Sequence, residues 1–372
     1  MIDNDKLISE LIRFLRFPLI VFVVMIHTRF DSISMGGVDY VFDLQHYPIY
    51  CNVSFFISKL LCGIAVPIFF IFSGYLFFYK MSSFSTKDYV NKLSKRLYTL
   101  VLPYIFWNFV VIAIYFLAQT FMPTMISGNN KPIVDYGVID WFRAFWNYHD
   151  DMPICYQFWF IRDLIVVVIL SPVLYYAIKK FRFYFVGLMG VIWLLNLNTG
   201  ISGFSVTAIF FFSLGALFSI GKYDVVKCLD KIKTAGYVTS FLLIIIEIYL
   251  YNIRGSITAF FSDIQSIMLY KILTLVLIVA CLNITLSKLR SGSWKTNKFL
   301  CDSNFFIYAY HTMPLMLVLK LFVRFVQPNS DIYVIMIYFA VPLITILVGL
   351  FIFALMRRLL PKLTAFITGS RI

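Results

Sequence analysis

Residues Val101 to Thr120 read VLPYIFWNFVVIAIYFLAQT, a stretch of 20 positions without a charge. At about 1.5 Å per residue, a helix of this length reaches about 30 Å, the thickness of a bilayer's hydrocarbon core. Ile332 to Met356, IYVIMIYFAVPLITILVGLFIFALM, is a second such run, and Phe241 to Tyr251 and Ile272 to Leu286 extend the pattern. These runs lack the interleaved charge of a surface helix and the period-2 alternation of barrel strands. Backbone in lipid must satisfy its own hydrogen bonds, so the runs predict transmembrane helices.

Composition agrees with this reading. Of the 372 residues, 61% are apolar, 19% aromatic and 13% charged, where soluble domains carry about 45–50% apolar and about 25% charged residues. Too little polar surface is present for a water-soluble globule, and the hydrophobicity excludes a disordered chain. The expected class is an all-α integral membrane protein of about ten transmembrane helices. The spans fall near residues 13–33, 59–79, 97–120, 157–178, 183–198, 203–220, 235–252, 264–286, 303–323 and 332–356.

Charge tests this segmentation independently. Most of the 32 basic residues fall on one side of the ten spans: at the N-terminus, in Lys80 to Arg96, at Lys179 to Arg182, between Lys222 and Lys233, between Lys288 and Lys298, and after Arg357. Only a minority of the 18 acidic residues join them. The positive-inside rule then predicts both termini in the cytoplasm. The net charge of +14 is thereby read as topology, with a bilayer and not a nucleic acid as partner.

The chain is expected to form a single domain over residues 1–372. Leu7, Ile8, Leu11, Ile12 and Leu15 recur at helical spacing, which predicts an interfacial helix over residues 1–12. Pro18 is expected to mark a bend, and residues 357–372 to form a cytoplasmic tail. The N-terminus, with Asp3, Asp5, Lys6 and Glu10, does not read as a cleaved leader. Six cysteines and four histidines show no metal-ligand spacing, so no metal is expected. Cys51 and Cys155 both fall in outer connections, either as a disulfide or as two buried thiols.

Two outer connections, about Asp31 to Ser58 and Phe121 to Tyr156, are long and aromatic, as in Trp141-Phe142-Arg143-Ala144-Phe145-Trp146. Planar faces beside carboxylates suit a sugar ring; an interfacial aromatic belt has the same composition.

Ionisable residues within spans each need a partner or a watery cavity. They are His27, Arg162, Asp163, Glu247, Lys271, His311 and Lys320, with Asp31 and Lys59 at span ends. Lys59 and Lys320 can snorkel. Arg16 and His27 are eleven residues apart, about 20° past three full turns, so an unbroken helix puts both on one face about 16 Å apart. Asp31 follows His27 at i+4, where it can accept a ring N–H and orient the imidazole as a general base. A guanidinium at the mouth suits a phosphate, and a deeper imidazole serves as base or nucleophile. Coenzyme A thioesters have that shape: a phosphorylated head and a long thin arm. The alternative is a positive-inside anchor and a packed histidine.

These residues resemble a known family. The Arg16-x10-His27 pattern is similar to the first-helix signature of the acyltransferase 3 family, membrane acyltransferases of bacterial cell-envelope glycans. Val66-Pro67-Ile68-Phe69-Phe70-Ile71-Phe72-Ser73-Gly74-Tyr75 resembles its second-helix stretch, and Lys95-Arg96 before Leu102-Pro103-Tyr104 its basic entry to the third. Phe158-Trp159-Phe160-Ile161-Arg162-Asp163-Leu164 with Ser171-Pro172 resembles its Trp-Phe-x-Arg helix. Ser303-Asn304-Phe305-Phe306-Ile307-Tyr308-Ala309-Tyr310-His311 resembles its late Ser-Phe-x-x-Tyr-x-x-His segment, with Asn304 inserted. The likeness runs from about residue 11 to about 356.

The resemblance implies O-acylation, most often O-acetylation, of a glycan or lipid-linked sugar by acetyl-CoA or another cytoplasmic acyl-CoA, in the bacterial inner membrane. It implies that His27 is the essential histidine and Arg16 its partner. The family's paired arginines after the second span have approximate counterparts in Lys92, Lys95 and Arg96, which carry the expectation of donor binding. Arg162 is expected either to face the outer cavity as a catalytic cation or to be neutralised by Asp163. Asp163, Glu247 and His311 are candidates for the channel or acceptor site; a helix–helix hydrogen bond for Glu247 and a carbonyl bond for His311 are the structural alternatives. A transporter or exporter of a lipid-linked or polymeric glycan is the second functional class the embedded charges permit.

Overall fold

The computed structural model describes residues 4–35, 38–81, 84–121, 131–253, 263–326 and 328–369. Helix α1 spans Asn4–Ile26. A two-stranded hairpin follows, β1 (Ser32–Met35) paired antiparallel to β2 (Val38–Val41) with Ser32 opposite Val41. Helix α2, Pro48–Phe78, contains a π-helical segment at Phe55–Leu61 and a 3-10 turn at Cys62–Ile64. Helix α3 is Thr86–Phe121, and the short α4 is Val138–Trp146. Helices α5 (Trp159–Ile169) and α6 (Ser171–Phe181) meet at 64°, and α7 (Phe183–Leu194), α8 (Val206–Ile220), α9 (Val225–Ile253) and α10 (Asp263–Arg290) follow. Helices α11 (Lys298–Tyr310) and α12 (Thr312–Phe325) meet at 70°, before α13 (Asp331–Leu359) and α14 (Pro361–Ile367).

The fold is nearly all helical and its helices are those of a multi-pass membrane protein. By length and composition α2, α3, α9, α10 and α13 can each cross a bilayer, and seven spans result if each bent pair is one; α7 and α8 are apolar but shorter. On α13 the residues Leu343, Leu347, Phe351 and Leu355 are exposed at i, i+4, i+8 and i+12, while Val341, Thr345, Gly349 and Phe353 are buried. An apolar exposed face is what lipid requires and water forbids.

Local chemistry sets the helix ends. Ser85 caps α3 by accepting from the Asp88 N–H at 3.1 Å and donating to the Asp88 carboxylate at 2.7 Å. Pro48 occupies the first turn of α2 and Pro172 that of α6, where a missing N–H costs nothing. Pro314 lacks the N–H that would continue the helix from Tyr310, and the chain turns between α11 and α12.

Helix α1 lies inside the bundle, packed against α2, α10 and α11. Leu7, Ile8, Leu11, Ile12 and Leu15 are all buried there, so the segment read as an interfacial helix forms one continuous helix with the first span. Pro18 sits inside it without ending it. The expected end near residue 33 is corrected to Ile26, because the chain turns into the hairpin. The second span begins earlier than residue 59, at Pro48, which shortens the first outer connection. Cys51 and Cys155 are buried free thiols. The C-terminal tail packs back: Trp107 Nε1 donates to the Ile367 carbonyl at 3.1 Å, and Phe106 meets Phe366 edge-on.

The tightest helix pair is α2 with α8. A Cβ on Gly74 would stand 1.9 Å from the Phe212 carbonyl oxygen, and one on Gly215 would stand 1.9 Å from that of Ile71. The two backbones touch through reciprocal glycines, and Ser219 Oγ donates to the Tyr75 carbonyl at 2.7 Å one turn on. Gly74→Ala or Gly215→Ala is expected to lower stability by about 1–3 kcal/mol or more, read as a lower melting temperature in detergent. Gly187→Ala, where a Cβ meets nothing within 4 Å, is the variant that should melt like the parent.

Candidate active site

Because α1 continues past Pro18, the residues Ile12, Arg16, Ile20, Val23 and His27 fall on one stripe, at offsets 0, 4, 8, 11 and 15. All five line a single cavity of about 600 Å³. Phe69 and Phe72 of α2 and Leu164 of α5 supply apolar wall. The sequence-predicted pair Arg16 and His27 therefore shares one passage, about 16 Å apart along the helix axis.

At the Arg16 end the cavity is also lined by Arg96. The two guanidinium groups lie close enough for Arg16 to act on Arg96 as a like charge. Among the described residues neither forms an ion pair with a carboxylate. Two other members of the expected donor-binding set do not reach this cavity. Lys92 donates to the Phe77 carbonyl and sits 5.0 Å over the Phe77 ring, and Lys95 is exposed. Of the three, the structure brings only Arg96 to Arg16.

His27 stands at the end of α1. Its backbone N–H reaches the Val24 carbonyl at 3.1 Å, and Thr28 N donates to Met25 at 3.2 Å, so the last turn tightens before the chain leaves the helix. Ser58, from the π-helical segment of α2, donates its hydroxyl to the Met25 carbonyl at 2.5 Å. With that proton committed, the buried Tyr338 hydroxyl donates to Ser58 Oγ at 2.7 Å. Beyond His27, Tyr50 OH donates to the Phe30 carbonyl at 2.8 Å and accepts from the Phe30 N–H at 3.1 Å. The imidazole is thus carried on backbone pinned on both sides.

Asp31 requires a correction. Since the helix stops at Ile26, i+4 geometry does not apply; its carboxylate is exposed and lies 3.7 Å from Arg29. The rings beside His27 are Tyr156, edge-on with centroids 5.3 Å apart, and His311, tilted by 41° at 5.3 Å.

Arg162 is also turned from the cavity. It is 2% exposed; Nε donates to Asp163 Oδ1 at 3.0 Å, Nη2 lies 2.9 Å from the same oxygen, and Nη1 donates to the Trp146 and Asp151 carbonyls at 2.6 Å each. The expected oxyanion role lacks a free donor facing the passage. Arg162 and Asp163 instead clamp α5 to the segment after α4. Glu247 is buried on α9, near enough to Tyr270 to act on its hydroxyl electrostatically. Tyr270 lines the cavity, donates to the Lys59 carbonyl at 3.2 Å and lies under the Lys59 ammonium. Lys271 also lines it, bonded to the Trp193 carbonyl at 2.5 Å and Asn196 Oδ1 at 2.8 Å.

Ser58, Tyr156, Gln157 and Tyr270 are neutral polar residues and do not stand out in the sequence as ionisable residues within the spans do. Gln157 lines the cavity and donates to the Ala309 carbonyl at 2.9 Å. Its signal was a neutral polar residue at the edge of an apolar run.

A family model described as an acyltransferase domain matches residues 11–356 of the chain. No curated protein and no solved structure matches it.

Removing one partner of a buried ion pair costs about 3–5 kcal/mol, while replacing both by apolar groups is close to neutral. Arg162→Leu is therefore expected to melt well below the parent, and the double variant Arg162→Leu with Asp163→Leu to recover most of the loss, by thermal denaturation in detergent.

Proposed function

The chain belongs to this acyltransferase family, and from that premise we propose that it is a membrane O-acyltransferase moving an acyl group, acetyl as the leading case, from cytoplasmic acyl-CoA to a hydroxyl of a cell-envelope or lipid-linked glycan. One observation carries the reading. A single apolar-walled cavity has Arg16 and Arg96 at one end, without carboxylate partners among the described residues, and the His27 imidazole at the other. Two like charges facing a low-dielectric passage favour an anion between them, and a guanidinium matches a phosphate in a bidentate way. The donor's phosphates then rest on Arg16 and Arg96, and its narrow pantetheine arm follows Ile20 and Val23 toward His27.

At that end His27 either deprotonates the acceptor hydroxyl or takes the acyl group as an acyl-imidazole that the hydroxyl attacks. Both routes need one ring nitrogen with a free lone pair aimed into the cavity. Aromatic residues of α4, including the exposed Phe142, would supply faces suited to a sugar. Asp31 and Arg162 are left out of the chemistry; Lys92 and Lys95 are left out of donor binding.

Helix α1, the five long helices, the two bent pairs, α7 and α8 together supply ten apolar segments, consistent with both termini in the cytoplasm of a bacterial inner membrane and with the basic residues of Lys80 to Arg96 near the donor mouth. A phosphatase reporter fused to the C-terminus should stay inactive, and an active one would reverse the orientation.

In membrane vesicles given radiolabelled acetyl-CoA, label is expected on an envelope glycan. His27→Ala should reduce transfer by about 100-fold or more. Arg16→Ala should raise KM for the donor by about tenfold, the loss of one charge-assisted contact. Full transfer by His27→Ala would refute the assignment, and glycan movement without label would point to transport.

A further inference from the structure

His311 lies between α11 and α12, where the chain turns by 70°. Its side chain is 0% exposed, and Nδ1 is 2.8 Å from the Tyr308 carbonyl oxygen. A carbonyl only accepts, so Nδ1 carries the proton and a neutral ring leaves its lone pair on Nε2. That buried Nε2 has no hydrogen-bond partner among the described residues. Buried acceptors are nearly always satisfied, and one that is not calls for a donor.

Among the described residues two rings pack on His311, and His27 is the nearer, at 5.3 Å against 6.3 Å for Tyr308. His27 lines the cavity and His311 does not. Tyr156 closes the other side of the His27 ring, edge-on at 5.3 Å. Its neighbour Gln157 is tied to the helix that ends at His311, donating to the Ala309 carbonyl and accepting at its own carbonyl from Tyr308 OH at 2.5 Å. Helix α11 thus sets both neighbours of the His27 imidazole.

Resting on the acyl-transfer reading above, we propose that His311 is a positioning residue for His27: a small rotation of the two packed rings brings its vacant Nε2 to accept the N–H of one His27 nitrogen, which leaves the other nitrogen unprotonated and facing the cavity. The orienting group is neutral, which suits an apolar site where a carboxylate would need a counter-ion. The step balances within the substrates. The acceptor O–H proton passes to the free nitrogen of His27 while the oxygen bonds to the acyl carbon; the C–S bond breaks, and His27 returns the proton to the leaving thiolate. An ester and a free thiol result. His311 keeps its own proton on Nδ1 throughout and touches neither substrate.

The experiment compares three forms in vesicles with radiolabelled acetyl-CoA and the endogenous glycan. His311→Leu removes the acceptor, and kcat is expected to fall about tenfold or more with KM for acetyl-CoA unchanged. His311→Gln keeps an oxygen at the Nε2 position and should recover kcat to within about threefold of the parent. If His311→Leu fails to accumulate, His311→Asn replaces it, since its shorter amide keeps the Tyr308 bond and cannot reach His27; it should behave like the leucine variant. Parental kcat in His311→Leu or His311→Asn, or a His311→Gln variant as slow as those, would overturn the inference. A parent that transfers no label fails the acyltransferase reading itself, whereas an active parent with an inactive His27→Ala and an unaffected His311→Leu fails only the dyad.

Discussion

A helix that carries an arginine and a histidine on one face, eleven residues apart, and is enclosed by other helices must present that face to a cavity. Neither lipid nor packed apolar side chains can solvate a guanidinium. Helix α1 is so enclosed from Phe14 onward, where no residue is exposed and the buried positions are leucine, isoleucine and valine. The passage lined by Arg16, Ile20, Val23 and His27 is the consequence. Its walls come from α2, α3, α5, α10 and α11, so most of the bundle shapes one elongated space.

Precision is concentrated at the His27 end. The helix stops there, and a chain leaving a helix has unsatisfied carbonyls that neighbours can grip. Ser58 takes that of Met25, Tyr338 supports Ser58, and Tyr50 takes both backbone groups of Phe30. Ser58 reaches Met25 from the π-helical part of α2, where the wider turn alters the direction of side chains. The Arg162 and Asp163 pair fastens the segment between α4 and α5 to α5. Among the described residues, charge at the Arg16 end is left without carboxylate partners, while charge at Arg162 is used by Asp163 and two carbonyls; only the first invites a ligand.

The membrane helices were legible because hydropathy over about twenty residues is a one-dimensional property. The pairing of Arg16 with His27 was legible because it depends on helical repeat alone. Asp31 was misplaced for the opposite reason: whether a helix continues four more residues depended here on the hairpin and on Tyr50 capturing Phe30, which no local pattern records. Lys92 and Arg96 illustrate the same limit. Both are basic and one turn apart, yet Lys92 finds the Phe77 carbonyl and Arg96 the cavity. Ser58 and Gln157 went unseen because neutral polar residues in apolar runs are common and become informative only when their partners are known.

Read alone, the sequence places the protein in a bilayer, finds its apolar helices though not their ends, and sets an arginine and a histidine on one face of the first. Those properties follow from apolar run length and the 3.6-residue period. The tertiary structure decided where α1 stops, which of three basic residues joins Arg16, that Arg162 is neutralised, and that His311 rather than Asp31 stands beside His27. Each of these depends on contacts between segments distant in the chain, such as α1 with α11 and α2 with α13, and only packing brings those segments together.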